Sequence, residues 1–288
     1  MRILITGVSG FLGSQLADYL FYRNYSVIGT VSSNRSLCSS KIKVYTVSLE
    51  NNDNLFYSIN DEFDVLIHCA SAHPSITTNN EQIIIKNINS VKNLIKFSTK
   101  SKIKKIIFCS STAVYGKVDD GIIKYNSKFK QVSLYGLSKL ICEELFLEWG
   151  KNFNKQVYNI RLPAIVGKGC HETFIIKLIN AFKYNKKIEI GNKNDLFNNI
   201  VDINDLIKFI FNIISKEYSS NTLVLGSRNP VNIKSIINTI KQFYPNNNNF
   251  ILNNTDIKSF YINYDQAKKI GYKPSNTINV INNYLQTL

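Results

Sequence analysis

The chain has 288 residues, 44% of them hydrophobic and 12% aromatic, with 35 Lys and Arg against 20 Asp and Glu for a formal net charge of +15. That balance excludes a disordered chain and supplies a sizeable core, while the apolar runs fall short of the ~20 residues that cross a bilayer, so no membrane partner is expected. Five cysteines (Cys38, Cys69, Cys109, Cys142 and Cys170) form no CxxC pair and are odd in number, which argues against a disulfide framework and for a reducing cytoplasmic setting, with no metal site expected. The lysines are scattered among Asn and Ile and read as solvated faces that would attract an anionic small molecule; nucleic-acid binding is a third alternative resting on charge alone, and no nucleic-acid partner is expected.

In chain order, "RILITG" reads as an apolar strand that passes through Gly7, Gly10 and Gly13 into the helical pattern of "SQLADYLFYRN". The free N–H groups of such a helix start point at whatever sits in the turn, and a phosphate is the natural occupant. Gly7 can take a backbone conformation that other residues reach only at a cost. Gly10 lets the main chain approach a pyrophosphate, and Gly13 lets the helix pack close to the strand. Three spaced glycines also occur as plain turn residues, so the loop alone leaves both readings open.

The second strand, "YSVIGTVS", runs into Ser32, Ser33, Asn34 and Arg35. With no carboxylate there and Arg35 able to clamp a ribose 2′-phosphate, NADP(H) is favoured and NAD(H) remains possible. "DVLIHCA", "KKIIFCSS" and "QVYNIRLP" are further strands, separated by the helical segments "SVKNLIKFSTK" and "SKLICEELFLEWG". Their continuous apolarity implies helices on both faces, hence an α/β, Rossmann-type doubly wound parallel sheet.

Ser111 ends one of these strands, at the sheet edge where such folds bind ligands. Tyr135 and Lys139 stand four residues apart on one helical face. A free phenol, with a pKa of ~10, is a poor base near neutrality, and a neighbouring ammonium stabilises its phenolate, so Tyr135 suits acid/base work. Taken singly, each of the three residues is equally well a turn former or a surface residue.

After Pro163 the rhythm loosens. The helical "ETFIIKLINAF", a strand near "KIEIG", the helical "NDLIKFIFNIIS" and the strand "NTLVLGS" follow. "YPNNNNFILNNTD" reads as a loop, and residues 264–288 as terminal helical pieces. The division expected is a dinucleotide-binding domain over 1–163, with a return of segment 196–230, and a smaller mixed α/β substrate domain over 164–288.

"TGVSGFLG", "DVLIHCAS", "NINSVKNLI", "SSTAVYG", "YGLSK", "IRLPAIVG" and "VDINDL" together resemble, over nearly the whole chain, the extended short-chain dehydrogenases/reductases, also called the NAD-dependent epimerase/dehydratase family. The resemblance implies that Tyr135 is the catalytic acid/base, that Lys139 favours its ionised form and holds the nicotinamide ribose, and that Ser111, with Thr112 as near alternative, orients the substrate oxygen. It implies that Gly7, Ser9, Gly10, Phe11, Leu12 and Gly13 line the pyrophosphate and that Ala70, Asn87 and Pro163 lie along the cofactor.

The Asp-Glu pair of the family's dehydratases is replaced by Thr112 and Ala113, which speaks against dehydration. The Cys of its 3,5-epimerising reductases is replaced by Ala113, while His171 stands in the right region without clear register. What remains is NADP(H)-dependent reduction of a 4-keto nucleotide-sugar, with C4 epimerisation on recycled NAD(H), or a silent dinucleotide sensor, as alternatives. Two arginines that the family uses for the substrate diphosphate match Asn198 and Asn253; either Lys168, Lys193, Lys258 or Arg228 compensates, or the substrate lacks the usual diphosphate. A homodimer is expected, with His171 and Lys193 among the residues facing the substrate.

Overall fold

The computed structural model describes residues 1–33, 38–51, 59, 61–74, 79–191, 193–245, 250–253 and 259–288, so Asn34, Arg35 and Lys258 lie outside the described residues. Among them the strands are β1 (Arg2–Thr6), β2 (Ser26–Val31), β3 (Lys43–Thr46), β4 (Val65–His68), β5 (Lys105–Ser111), β6 (Ile122–Ile123), β7 (Gln156–Leu162) and β8 (Ala164–Val166). They continue with β9 (Ile188–Gly191), β10 (Leu196–Phe197), β11 (Ile200–Asp202), β12 (Asn221–Val224), β13 (Val231–Asn232), β14 (Phe250–Asn253) and β15 (Tyr261–Ile262). The helices are α1 (Phe11–Phe21), α2 (Asn80–Lys100), α3 (Leu134–Phe153), α4 (Phe174–Lys183), α5 (Ile203–Ser215), α6 (Ile233–Phe243), α7 (Asp265–Lys269) and α8 (Thr277–Leu285).

The chain forms two compact units. The first, Met1–Lys117, Lys128–Arg161 and Ile207–Leu223, carries a seven-stranded sheet in the order β12-β7-β5-β4-β1-β2-β3. β1 pairs in parallel with both β2 and β4, so strand order reverses beside β1. In a doubly wound sheet the crevice at such a reversal, at the carboxyl ends of the strands, is where ligands bind. The strands are apolar throughout because both faces are covered: Leu4, Leu66, Ile106 and Val157 pack on one face with Val91, Leu94 and Phe97 of α2 and with Phe146 and Trp149 of α3, and Ile3, Ile5, Ile67 and Ile107 on the other face are fully buried.

The apolar second half of α5 joins this unit: Phe211 meets Tyr19 and Tyr25 edge-on, with ring centroids 5.8 and 6.0 Å away. Its C-terminal carbonyls are taken by one buried ammonium, Lys105 Nζ, which donates to Ile213 O at 2.8 Å, Ile214 O at 3.3 Å and Lys216 O at 2.8 Å. A cation there satisfies acceptors that the helix itself cannot pair and meets the negative end of its dipole.

The second unit, Val118–Ser127, Leu162–Leu206 and Val224–Leu288, is built from two-stranded pairs packed with α4, α6 and α8 around Ile176, Ile179, Ile236, Ile240 and Ile281. The chain crosses into the first unit at Ile207, inside α5, and residues 118–127 go with the second unit. The stretch expected as a loop after Tyr244 is corrected: Phe250–Asn253 is a strand, paired in parallel with β9 from Phe250↔Ile188 to Asn253↔Gly191. "FIL" is a strand-forming run short enough to be masked by its flanking asparagines, and β9 has backbone groups that need a partner.

Candidate active site

The glycine turn closes the end of β1. Gly7 has φ +74°, and its amide donates to Thr30 O on β2 at 2.9 Å. A Cβ on Gly7 would stand 2.8 Å from the Ala70 backbone, so the ends of β1 and β4 meet only because it has none. A Cβ on Gly13 would lie 2.2 Å from Gly7 O, which fixes how closely α1 sits on the turn. No side chain caps α1 and its first turn holds no acidic residue, so its N-terminal amides and positive dipole end are left for an anion. The Phe11 and Leu12 side chains are buried, so their part in such a site is confined to the backbone. Ser32 and Ser33 follow β2 and are exposed.

Beneath the turn, Thr6 Oγ1 lies 2.7 Å from His68 Nδ1 and accepts from Ala70 N at 3.3 Å. Burial, with the Lys139 charge as a smaller cause, pushes the His68 imidazole down to about 3, so it is neutral at ordinary pH. Its ring stacks on Phe108 at 5.4 Å. Cys69 and Cys109, at the adjoining ends of β4 and β5, bring their thiols to 3.6 Å. The bond with Cys109, together with burial, pushes the Cys69 thiol well up.

α3 brings Tyr135 and Lys139 to the same edge. Ser133 caps it, accepting from Gly136 N at 3.1 Å. Ser111, the last residue of β5, caps the 3-10 turn Thr112–Tyr115 by accepting from Ala113 N at 3.1 Å. A Cβ on Gly136 would be 2.2 Å from Ala113 O, so the close approach of α3 to the turn after Ser111 depends on this glycine. Sequence reasoning passed over Gly136, although it stands beside Tyr135 in "YGLSK".

The Lys139 ammonium is buried, at 2% exposure, and finds Ser71 Oγ at 3.4 Å and the Phe108 ring at 4.4 Å. Among the described residues no carboxylate pairs with it. A buried ammonium with so few partners retains donors for a ligand hydroxyl or an anion. Asn87, on α2, is also buried: its side chain accepts from Ala72 N at 2.8 Å and donates to Ala72 O at 3.2 Å and to Ser138 Oγ at 3.1 Å. His73, which the sequence reading did not single out, has its ring 5.3 Å from that of Tyr135.

Pro163, Lys168, His171, Lys193, Asn198 and Arg228 belong to the second unit. Lys168, His171 and Lys193 are exposed there. Arg228 Nε donates to Asn276 Oδ1 at 2.8 Å. Asn198 is fully buried and fully engaged: Nδ2 donates to Ser227 O and Ile262 O, both at 2.9 Å, and Oδ1 accepts from Ile262 N at 2.7 Å. It therefore has a structural use and no hydrogen left for a phosphate. Among the described residues no helix is long and apolar enough to cross a membrane, and no cluster of three or more His, Cys, Asp or Glu is placed to hold a metal ion.

Residues 3–226 match the NAD dependent epimerase/dehydratase family. The chain is 25% identical over 292 residues to the GDP-6-deoxy-D-talose 4-dehydrogenase of Aggregatibacter actinomycetemcomitans, covering 98% of this chain and 92% of that one. It is 24% identical over 291 residues to a putative UDP-glucose 4-epimerase of Methanocaldococcus jannaschii, covering 94% and 93%. The crystal structure of UDP-glucuronic acid 4-epimerase from Bacillus cereus, in complex with NAD, superposes with a TM-score of 0.83 at 20% identity, covering 99% of this chain and 96% of that one. The uncapped glycine turn, the reversal of strand order beside it and the Tyr135/Lys139 helix thus stand in a chain that belongs to the NAD-dependent epimerase/dehydratase family.

Proposed function

We propose that this protein is an NADP(H)-dependent reductase of a 4-keto nucleotide-sugar. The observation that carries the reading is the buried, sparsely partnered Lys139 ammonium one helical turn from the half-buried Tyr135. A chain keeps a desolvated charge of this kind where a ligand or a reacting group completes its bonding. The uncapped start of α1, seated closely on the turn because Gly13 has no side chain, fits a dinucleotide pyrophosphate held by the backbone of Ser9–Gly13. Ser32 and Ser33, which follow Val31 directly and carry no charge, suit a phosphorylated ribose.

Once bound, the reduced nicotinamide would supply a hydride, one hydrogen with two electrons, to a ring carbon of the sugar. The chain's own residues handle the oxygen on that carbon. Tyr135 gives its proton to the oxygen as the ketone becomes an alcohol, Ser111 donates a hydrogen bond that orients it, and Lys139 stabilises the phenolate left behind. The substrate's nucleotide is held without Asn198, which is occupied with backbone groups. The homodimer is retained as part of the proposal: Ile85 of α2 and Leu134 and Leu137 of α3 are exposed apolar residues that a second copy would cover.

The test follows reduced-nicotinamide absorbance with NADPH or NADH and a series of nucleotide-linked 4-keto-hexoses. Oxidation of NADPH in preference to NADH, lost by ~10²-fold or more in Tyr135→Phe, is the expected result. A Tyr135→Phe variant as fast as the parent overturns the reading. The second reading, C4 epimerisation on a retained NAD(H), is favoured by the epimerase relatives and predicts interconversion of UDP-glucose and its C4 epimer with no net consumption of cofactor.

A further inference from the structure

Two side chains of the loop after β4 meet the Tyr135/Lys139 pair. Ser71 Oγ is 3.4 Å from Lys139 Nζ, and the His73 ring centroid lies 5.3 Å from that of Tyr135, tilted by 42°. The loop is held to α3: the Asn87 side chain bonds both backbone groups of Ala72, the residue before His73, and also Ser138, the residue before Lys139. His73 is exposed, Tyr135 is half-buried and Lys139 is buried. Of the three, His73 is the one with open access to solvent.

We propose that His73 carries the proton between solvent and the Tyr135 oxygen. The inference rests on the reading of Tyr135 as the acid that protonates the substrate oxygen. After that transfer the phenolate must regain a proton before the next turnover. The imidazolium N–H gives its proton to the phenolate through one water, and the resulting neutral imidazole takes a proton back from solvent; no electrons move in this step. Imidazole is the side chain whose ordinary titration range spans neutral pH, which suits a group that must both release and regain a proton. The ring contact, 5.3 Å between centroids, sets the imidazole beside the phenol, and a bridging water joins the ring nitrogen to the Tyr135 oxygen for the transfer.

Other titratable groups face the pair from the packed elements: Cys142 from α3, His68 and Cys69 from β4 and its end, and, against Cys69, Cys109 from the neighbouring strand. These are buried or half-buried and border Lys139. His73 acts through Tyr135 and positions the proton for it; it does not replace Tyr135 at the substrate.

The discriminating variant is His73→Phe, which keeps an aromatic ring against Tyr135 and removes the exchangeable proton. The assay uses NADPH and a GDP-linked 4-keto-6-deoxyhexose in dilute, non-nucleophilic buffer. Expected are a fall in kcat of roughly tenfold or more, a KM within about twofold of the parent, a changed pH profile, and recovery of rate on adding free imidazole. His73→Asn serves as the second variant, with the same imidazole response. Either variant turning over at the parent rate and with the parent pH profile overturns the inference. So does a loss that imidazole leaves unrepaired in both, because that marks a packing role. An inactive Tyr135→Phe beside a fully active His73→Phe sinks this inference alone, whereas an active Tyr135→Phe sinks the functional reading beneath it.

Discussion

The two units bury their polar groups in different ways. In the first, charge goes inside: Lys105, Lys139, Glu143 and Arg161 are each at or below 5% exposure. Arg161 Nε reaches both Glu143 oxygens at 3.1 Å and Nη2 reaches one of them at 2.7 Å, while Nη1 donates to Tyr115 OH at 2.9 Å and Ser110 Oγ donates to Glu143. This network ties β5, the 3-10 turn, β7 and α3 together directly behind Ser111, Tyr135 and Lys139. The second unit instead buries neutral groups, Asn198, Ser227 and Thr277, each at 0% exposure, with Asp202 as a carboxylate capping α5. Burial raises the Asp202 carboxyl toward its neutral form. The difference teaches where rigidity has been placed. Paired buried charges are costly to move, and they underlie the elements whose relative position the proposed chemistry needs.

The comparison breaks most severely at Arg161. Arg161→Met strands Glu143 in the core and is expected to cost about 3–5 kcal/mol in denaturant unfolding of the first unit. Adding Glu143→Leu removes the stranded charge and should recover most of that loss; a double variant no more stable than the single one contradicts this account.

Next comes Gly136→Ala, which sets a methyl carbon against Ala113 O and pushes α3 away from the turn. A displacement of this size near reacting groups costs up to ~10²-fold in kcat. Cofactor affinity measured alongside should change far less.

Asn198→Leu probes the neutral unit. Three backbone groups lose their partner and no charge is stranded, so at about 1 kcal/mol for each group the expected loss is roughly 3 kcal/mol, at or below the lower end of that for Arg161→Met. A loss exceeding the Arg161 value would invert the contrast drawn between the units.

The smallest effect is a pH dependence from His68. Its folded value of about 3 lies below the unfolded value of 6.5, so the unfolded chain binds the extra proton between them. Stability present above pH 6.5 is lost progressively as pH falls toward 3, by about 2 kcal/mol at pH 5. Unfolding midpoints of His68→Gln, compared with the parent across that range, should lack this component.

Much of this organisation can be read from the sequence because it is local. The β1–turn–α1 unit is written within twenty consecutive residues, and Tyr135 and Lys139 announce a shared helical face through their spacing alone. What escapes is set by contacts distant along the chain. β14 is a strand because β9, some sixty residues earlier, offers it an edge. Residues 118–127 leave the first unit because β6 pairs with β15, far downstream. Asn198 looks like a lost charge until its three backbone partners at Ser227 and Ile262 are seen. His73 sits in an irregular loop with no periodicity to mark it, and Gly136 needs Ala113 to explain it.

The Asn87 clamp works because one end of a carboxamide accepts and the other donates. Asn87→Asp would put a carboxylate in its place, nearly identical in outline, with an acceptor on both ends, one of them facing the Ala72 carbonyl. A change of a single heavy atom would therefore turn attraction into repulsion at Ala72 and loosen the hold of α2 and α3 on the segment bearing Ser71 and His73.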